Sequence, residues 1–443
     1  MLDIDKIREN PEEIKEKLRA RGEEVEVKRL LKLDRKRREL IKEVESLRHE
    51  RNENSEKIGL LKSEGQDAEA EELIEKMGRV SSKIDDLEEE LEGVESELED
   101  ELAVLPNLPH ESVPVSSSED DKEVIQKYGD KPTFDFEPKN HLELGDKLDL
   151  FKFEKASKIA GARFPFYYGD GALLEMGLIH FMYFYQVENN DYTPVFPPYL
   201  ARGKSYFTSG QLPKFEEDLY RIDDREKEGT KGKSREEKLY LNPTAESILA
   251  NFHRDEILEN SQLPEKLVAF TTCFRREAGS YGEEEKGLIR THQFNKVELF
   301  KFVEPDNSYS HFDELILDAE GVLRELGLHY RKVLLPTCDL AQQSSKTVDL
   351  EVWIPSIGTY KEVSSISNCE EFQARRGNIR YRPNNREKSG SKKSKTKFVH
   401  TLNGSGLATS RLMVALLENN QNQDGSIDIP EKLAGFINKD RLQ

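Results

Sequence analysis

Residues 267–277 read LVAFTTCFRRE and residues 295–304 read NKVELFKFVE, with AGSYGEEEKGLIRTHQF (278–294) between them. Both flanks are rich in β-branched and aromatic residues, and the intervening loop carries Gly279 and Gly282. They therefore read as neighbouring antiparallel strands. An arginine at the end of the first strand, Arg275, can grip a phosphate through two parallel N–H bonds. Glu277 can accept from an amine, and the Phe294 ring can stack on a planar base. A surface hairpin closed by ion pairs would use the same residues, so the segment alone leaves both readings open.

The surrounding chain is globular in composition from about residue 140. Helical patterns fall at 173–190, 245–260, 308–327 and 407–420, and strand-like runs at 194–196, 239–241, 267–274, 296–303, 349–354 and 359–364. This is an α+β pattern with a mostly antiparallel sheet. Neither GxxxxGK[ST] nor GxGxxG occurs, so a P-loop or a dinucleotide-binding turn is not supported. LNPTAES (241–247) sets Thr244 and Glu246 at a strand-to-helix junction. YKEVSSISN (360–368) alternates Glu362 with Ser364 and Ser365. NGSGLATSRLMVALLEN (403–419) reads as a Gly-rich turn before a helix that carries Arg411 early.

The first hundred residues differ. Asn10 before Pro11 starts a short helix. Leu73, Met77, Val80, Ile84, Leu87, Leu91, Val94 and Leu98 then step by four and three, which is a heptad seam. Leu33, Arg37, Leu40, Val44, Leu47, Arg51, Asn54, Ile58 and Leu61 keep the same rhythm with three polar interruptions, and SEGQD (63–67) is a turn composition. The prediction is an antiparallel hairpin of two long helices over about 28–102. Residues 28–62 hold twelve Lys/Arg against seven Asp/Glu, and residues 67–101 three against sixteen. Attraction between the helices accounts for part of this. The cluster Arg35, Lys36, Arg37, Arg38, with Arg48 and Arg51, is more than pairing needs and suits a phosphate backbone; a partner coiled coil is the rival. AVLPNLPHESVPVSSSEDD (103–121) reads as a linker, so the domain boundary falls near residue 110.

A net charge of −20 argues against indiscriminate binding to nucleic acid or anionic membrane, yet leaves room for a local basic surface. Three dispersed cysteines without a CxxC pair point to buried thiols in a reducing compartment. A polar, acidic start and no apolar run of membrane-spanning length imply a soluble, cytoplasmic protein.

In order along the chain, DIDKIRENPEEIKEKLRARG (3–22), the two-helix arm, LPNLPHESVP (105–114), TSGQLPKF (208–215), TAE, FRREAGS, IRTHQFNKVE (289–298), EVSSISN, FQARR (372–376) and NGSGLA (403–408) resemble the seryl-tRNA synthetases of the common, zinc-free type. DYTPVFPPYL (191–200) is similar to the first class II synthetase motif, FRRE to QF to the second and GLATSR to the third. The resemblance implies a helical tRNA-binding arm over 1–110 and a class II catalytic domain over 111–443, its mostly antiparallel sheet flanked by helices. It implies that L-serine and ATP give seryl-adenylate and pyrophosphate, and that serine passes to tRNA(Ser), with tRNA(Sec) a further candidate. Mg²⁺ would assist. The first motif would form a homodimer, and no membrane partner is implied.

Residue by residue, the resemblance assigns catalysis to Arg275, Glu362 and Arg411. Arg275 would hold the α-phosphate with Arg276 beside it, Glu277 the adenine-side end of ATP, Phe294 one face of the base, and Arg411 the other face or the phosphate tail. Thr291 falls where the family touches adenine, usually with an aliphatic residue. Glu362 and Ser365 match the Mg²⁺ positions, and Val363 and Ser364 between them line the ATP site. Serine would sit among Thr244, Ala245, Glu246, Glu298, Asn403 and Ser405. Glu246 would pair with the ammonium group and Glu298 accept from the hydroxyl. Arg35, Arg37, Arg38, Arg48 and Arg51 would meet tRNA. A synthetase-like RNA-binding protein without catalysis is the alternative; such a chain is expected to lose Arg275, Glu298 or Arg411, and all three stand.

Four features depart from the pattern. Ala341 replaces a usual glycine in DLAQQSSKTVDLEVW (339–353). Segment 222–238 is longer and more charged than typical and reads as a disordered surface loop, and segment 382–398 is basic and Ser-rich and reads as a flexible loop, with an extra contact to the tRNA acceptor stem as the alternative. Glu283–Glu285 are unexpected in a loop that by resemblance faces the acceptor end of tRNA.

Overall fold

A computed structural model gives the fold and describes residues 1–222, 237–277, 286–384 and 395–443. The loops expected at 222–238 and 382–398 lie for the most part outside the described residues, as do Gly279, Gly282 and Glu283–Glu285. The chain forms two compact units, one of residues 2–19 and 23–105, the other of residues 1, 20–22 and 106–443.

In the first unit, α1 (Ile4–Glu9) and α2 (Pro11–Ala20) precede α3 (Val27–Ser63) and α4 (Asp67–Ala103). Pro11 opens α2, and the Asn10 carbonyl accepts from the Ile14 N–H at 3.1 Å. The two long helices have 37 residues each, about 55 Å at 1.5 Å per residue. Gly65 turns the chain between them at φ 74°, in the left-handed region that glycine enters without strain. Leu33, Leu40 and Val44 of α3 and Met77, Ile84, Val94 and Leu98 of α4 are buried along the predicted seam. The polar seam positions Arg37, Arg51 and Asn54 are half-buried.

The second unit is built on an eight-stranded sheet. Its strands in chain order are β1 (Glu123–Tyr128), β2 (Thr193–Val195), β3 (Glu265–Phe274), β4 (Gln293–Val303), β5 (Tyr330–Leu334), β6 (Lys346–Ile354), β7 (Thr359–Asn368) and β8 (His400–Ala408). The spatial order is β1-β5-β6-β7-β8-β4-β3-β2, antiparallel throughout except for β2 beside β3. The opening hairpin is therefore a central feature: β3 and β4 run antiparallel, with Cys273 opposite Phe294 and Ala269 opposite Glu298. Helices α5 (Asp170–Asn190), α6 (Ser308–Glu325) and α7 (Thr409–Asn419) supply Leu174, Leu178, Phe312, Leu315, Leu412 and Leu416 to one core with the sheet.

Three expectations need correction. The helical pattern at 245–260 yields a helix only over Glu246–Leu249 and then a strand at Ile257–Glu259. NGSGLA is no turn but the end of β8. A Cβ on Gly404 would stand 2.9 Å from Ile366, and one on Gly406 would stand 2.9 Å from Leu299, so glycine lets neighbouring side chains close over this strand. The Pro/Ser-rich stretch near 107 is strapped down: the Asn107 amide donates to the carbonyls of Gln343 and Cys369, each at 2.9 Å. All three cysteines are free, and Cys273 and Cys369 are buried. Among the described residues no helix is long and apolar enough to cross a membrane.

Candidate functional site

A cleft of about 410 Å³ opens on the sheet where β3, β4, β7 and β8 come together. Side chains alternate across a strand, so Phe294, Lys296 and Glu298 of β4 share one face, and all three line the cleft. Arg275 follows β3 directly. Its Nε donates to the Pro243 carbonyl at 3.2 Å, and its guanidinium lies 5.2 Å from the centroid of the Phe294 ring.

Glu362 and Ser365 reach the same face through a bulge. Glu362 pairs with Glu351 but Ser364 with Leu350, so β7 carries one extra residue there. That shifts the alternation by one and re-aims the strand. The cleft is thus lined by Glu362, Val363 and Ser365, while the buried Ser364 hydroxyl donates to the Ser405 carbonyl at 2.5 Å. Strand β8 has a matching irregularity between Ser405 and Ala408, both on the cleft wall. Helix α7 then presents Arg411, whose Nη1 donates to the Glu362 carbonyl at 2.8 Å and to its carboxylate at 3.2 Å.

The deeper end is polar and closed. Glu246 is buried, and its Oε1 accepts from Gln343 at 2.8 Å and Gln373 at 2.7 Å. Burial, with the Glu298 charge beside it, pushes the Glu246 carboxyl up to about 7, while Lys296 and the two amides hold it down. Thr244 donates to Glu298 Oε2 at 2.8 Å and accepts from Lys296 Nζ at 2.7 Å; Lys296 also pairs with that same oxygen. Among the described residues Glu298 Oε1 is buried with no hydrogen-bond partner, as is the Thr291 hydroxyl.

Most of the expected site residues meet here: Thr244, Glu246, Arg275, Glu277, Thr291, Phe294, Glu298, Glu362, Val363, Ser365, Asn403, Ser405 and Arg411 all line the cleft. Glu277 accepts from Arg290 at 2.5 Å. Ala245, Arg276 and Ser364 are not among the lining residues. Ala245 is packed in a hydrophobic cluster, and Arg276 donates through its backbone N–H to the Asp218 carbonyl. Ala341 stands in the cleft wall beside Gln342 and Gln343. The sequence reading missed Lys296, Gln343 and Gln373. Lys296 had a signal, since it falls in phase with Phe294 and Glu298; the two glutamines had none.

The basic arm residues divide. Arg37 pairs with Glu95 at 2.8 Å, Arg48 with Glu88 at 2.7 Å, and Arg38 with the buried Asp34 at 3.0 Å. Arg35 and Arg51 make no ion pair among the described residues. Lys28 and Lys42, also without one, are exposed and stand seven residues either side of Arg35. Pairing thus absorbs more of the predicted cluster than its charge suggested.

Residues 1–109 match the family model for the seryl-tRNA synthetase N-terminal domain, and residues 225–420 match that for the class II tRNA synthetase core domain of the G, H, P, S and T types. Over 437 residues the sequence is 48% identical to a serine–tRNA ligase of Syntrophobacter fumaroxidans, covering 99% of this chain and 98% of that one. The chain belongs to the seryl-tRNA synthetase family. A serine–tRNA ligase of Thermoanaerobacter pseudethanolicus is also 48% identical, over the whole of both chains. The fold of this synthetase superposes on the crystal structure of seryl-tRNA synthetase from Pyrococcus horikoshii complexed with ATP with a TM-score of 0.88, at 37% identity, covering 100% of this chain and 99% of that one.

Proposed function

We propose that the chain activates L-serine with ATP and transfers it to serine tRNA, with residues 111–443 as the catalytic module and residues 1–110 as the tRNA-binding arm. The observation that carries this reading is the convergence of Arg275, Phe294, Glu362 and Arg411 with Thr244, Glu246 and Glu298 in one cleft. In the first step a serine carboxylate oxygen bonds to the α-phosphorus as the bond to the bridging oxygen breaks, and pyrophosphate leaves. Such a step needs positioning and charge stabilisation rather than a nucleophilic side chain. Arg275 offsets the charge that grows on the α-phosphate. Its place near the Phe294 ring supports that ring as the surface on which adenine stacks. Arg411 closes over the nucleotide from α7. Glu362 and Ser365, brought to one face by the bulge, offer the oxygen donors that Mg²⁺ prefers, and that ion would neutralise phosphate charge. Glu246 receives the ammonium group, and the unpartnered Glu298 Oε1 receives the serine hydroxyl. In the second step a hydroxyl of the terminal ribose attacks the carbonyl and AMP departs.

On the arm, Lys28, Arg35 and Lys42 form a cationic stripe at heptad spacing for the tRNA backbone. A homodimer is supported by α5, whose Leu173, Met176 and Phe184 are exposed, Met176 at 64%, with Phe196 beyond β2 at 77%. An apolar stripe of this kind marks a partner surface. The cytoplasm, where tRNA is charged, is the proposed compartment. The test is pyrophosphate exchange with each of the twenty amino acids, followed by charging of a total tRNA pool and identification of the charged species. Exchange with serine alone and charging of serine tRNA are expected; an identified second tRNA would show whether selenocysteine tRNA is also a substrate. Absence of serine-dependent exchange would leave the non-catalytic RNA-binding reading.

A further inference from the structure

We propose that Lys296 is a specificity-determining residue of the amino-acid end of the cleft: it saturates one oxygen of Glu298 and is, among the described residues, the fixed cation set beside both Glu246 and Glu298, so that an amino acid bringing an ammonium group and a short hydroxyl completes the site. The proposal rests on the serine-binding reading above and adds a residue that reading does not use. Lys296 is buried, its side chain 7% exposed. It and Thr244 both direct donors at Glu298 Oε2, and Oε1 has none. One oxygen of the carboxylate is therefore spent on holding its orientation, and the other is its unspent acceptor. A hydroxyl can donate to that oxygen; the methyl of alanine cannot, and would leave it buried and unpaired.

Charge balance makes the second half of the case. Two carboxylates close together in a poorly solvated site disfavour each other's ionised form. The groups around Glu246 are Glu298 and Lys296 from β4, the amides of Gln343 and Gln373, and the Cys369 thiol. Lys296 balances one of the two negative charges, and the α-ammonium of the substrate balances the other. Without Lys296 the Glu246 carboxyl would hold its proton more tightly, and that proton would forfeit the ammonium contact.

Pyrophosphate exchange of the full-length Lys296→Met variant between pH 6 and 9, titrated separately with serine, alanine and ATP, tests this. The serine KM is expected to rise about 100-fold or more, as for breaking a buried ion pair, while the ATP KM stays within about threefold. The acid limb of kcat/KM for serine should move up by about one pH unit, and the preference for serine over alanine should fall at least about tenfold. A serine KM and an acid limb both at wild-type values would overturn the proposal. Should Lys296→Met fail to fold, Lys296→Arg decides. A limb that stays at the wild-type pH, since the charge is kept, supports the proposal, and a displaced limb overturns it. Failure of the wild-type chain to exchange with serine would instead remove the functional reading itself.

Discussion

The arm and the cleft both depend on arginine, lysine and glutamate, but in opposite ways. On the arm, Arg48–Glu88, Lys36–Glu90 and Lys83–Glu43 are exposed pairs. Such pairs contribute about 0–1 kcal/mol each and are screened by salt, so losing any one of them costs little. In the cleft, Glu246, Lys296 and Glu298 are buried, and removing one strands the others in a poorly solvated site. The same residue types thus give a graded, exchangeable surface in one unit and an all-or-none constellation in the other.

The largest effect should follow from breaking the constellation. Glu298→Ala is expected to lower serine-dependent exchange by roughly 10⁴-fold, the scale on which sites built around a hydroxyl discriminate, while ATP binding measured by calorimetry persists. Unchanged exchange would remove Glu298 from the serine site and erase the contrast with the arm.

Arm substitutions should act by degrees. A Lys28/Arg35/Lys42→Ala triple should raise the tRNA KM by about tenfold and flatten the salt dependence of charging by two to three counterions, about 0.7–0.9 each. Exchange without tRNA should not move. The triple Arg37/Arg38/Arg48→Ala should change tRNA affinity less and hairpin stability more, because those side chains are engaged with Glu95, Asp34 and Glu88. Equal effects of the two triples would mean that phosphate competes successfully with the arm's own carboxylates.

How much of each region was legible follows the same division. The arm is local, so step-of-three-and-four spacing gave both long helices and the turn between Ser63 and Asp67. The β3–β4 hairpin was legible too, for its partners are near in sequence. Strand β8 was not, because Gly404 and Gly406 carry no side-chain period to read. The run at 245–260 misled because its apolar residues, Ile248, Leu249 and Phe252, mimic helical spacing while the backbone after Leu249 turns. Most of the residues that line the cleft were named through resemblance; their physical connections were not. Lys296 reaches Thr244 across 52 positions, and Gln373 reaches Glu246 across 127. No local pattern encodes contacts of that range.

A buried carboxyl outside the cleft tests whether the all-or-none behaviour extends behind it. Glu175 of α5 accepts from Thr409 at 2.6 Å and Asn295 at 2.7 Å, tying that helix to the starts of α7 and β4. Burial pushes its carboxyl up to about 7. The folded chain therefore binds a proton here more tightly than the unfolded chain, whose value is near 4.3. The stability it contributes is present below that value and is lost as pH rises through about 7. Glu175→Gln keeps an acceptor for both donors and cannot ionise. It should leave thermal stability unchanged near pH 4 and raise it by up to about 3 kcal/mol at pH 8. A variant destabilised equally at both values would show that the shape and hydrogen bonds of the carboxyl, not its ionisation, decide how it holds α5.

The smallest expected effect concerns Thr291, where the cleft contains a polar group that the constellation does not use. Its hydroxyl is buried without a partner, which costs stability in the free protein. Replacing such a group by an apolar one of the same shape is close to neutral or stabilising. Thr291→Val should therefore raise thermal stability by about 1 kcal/mol or less. If the hydroxyl meets adenine beside Phe294, the ATP KM should also rise by about threefold, the loss of one modest hydrogen bond, with the serine KM fixed. A stability gain with the ATP KM unchanged would remove the Thr291 side chain from the ATP contacts. It would also confine the all-or-none behaviour to the end of the cleft that holds Glu246, Lys296 and Glu298, leaving the Phe294 end tolerant of substitution much as the arm is.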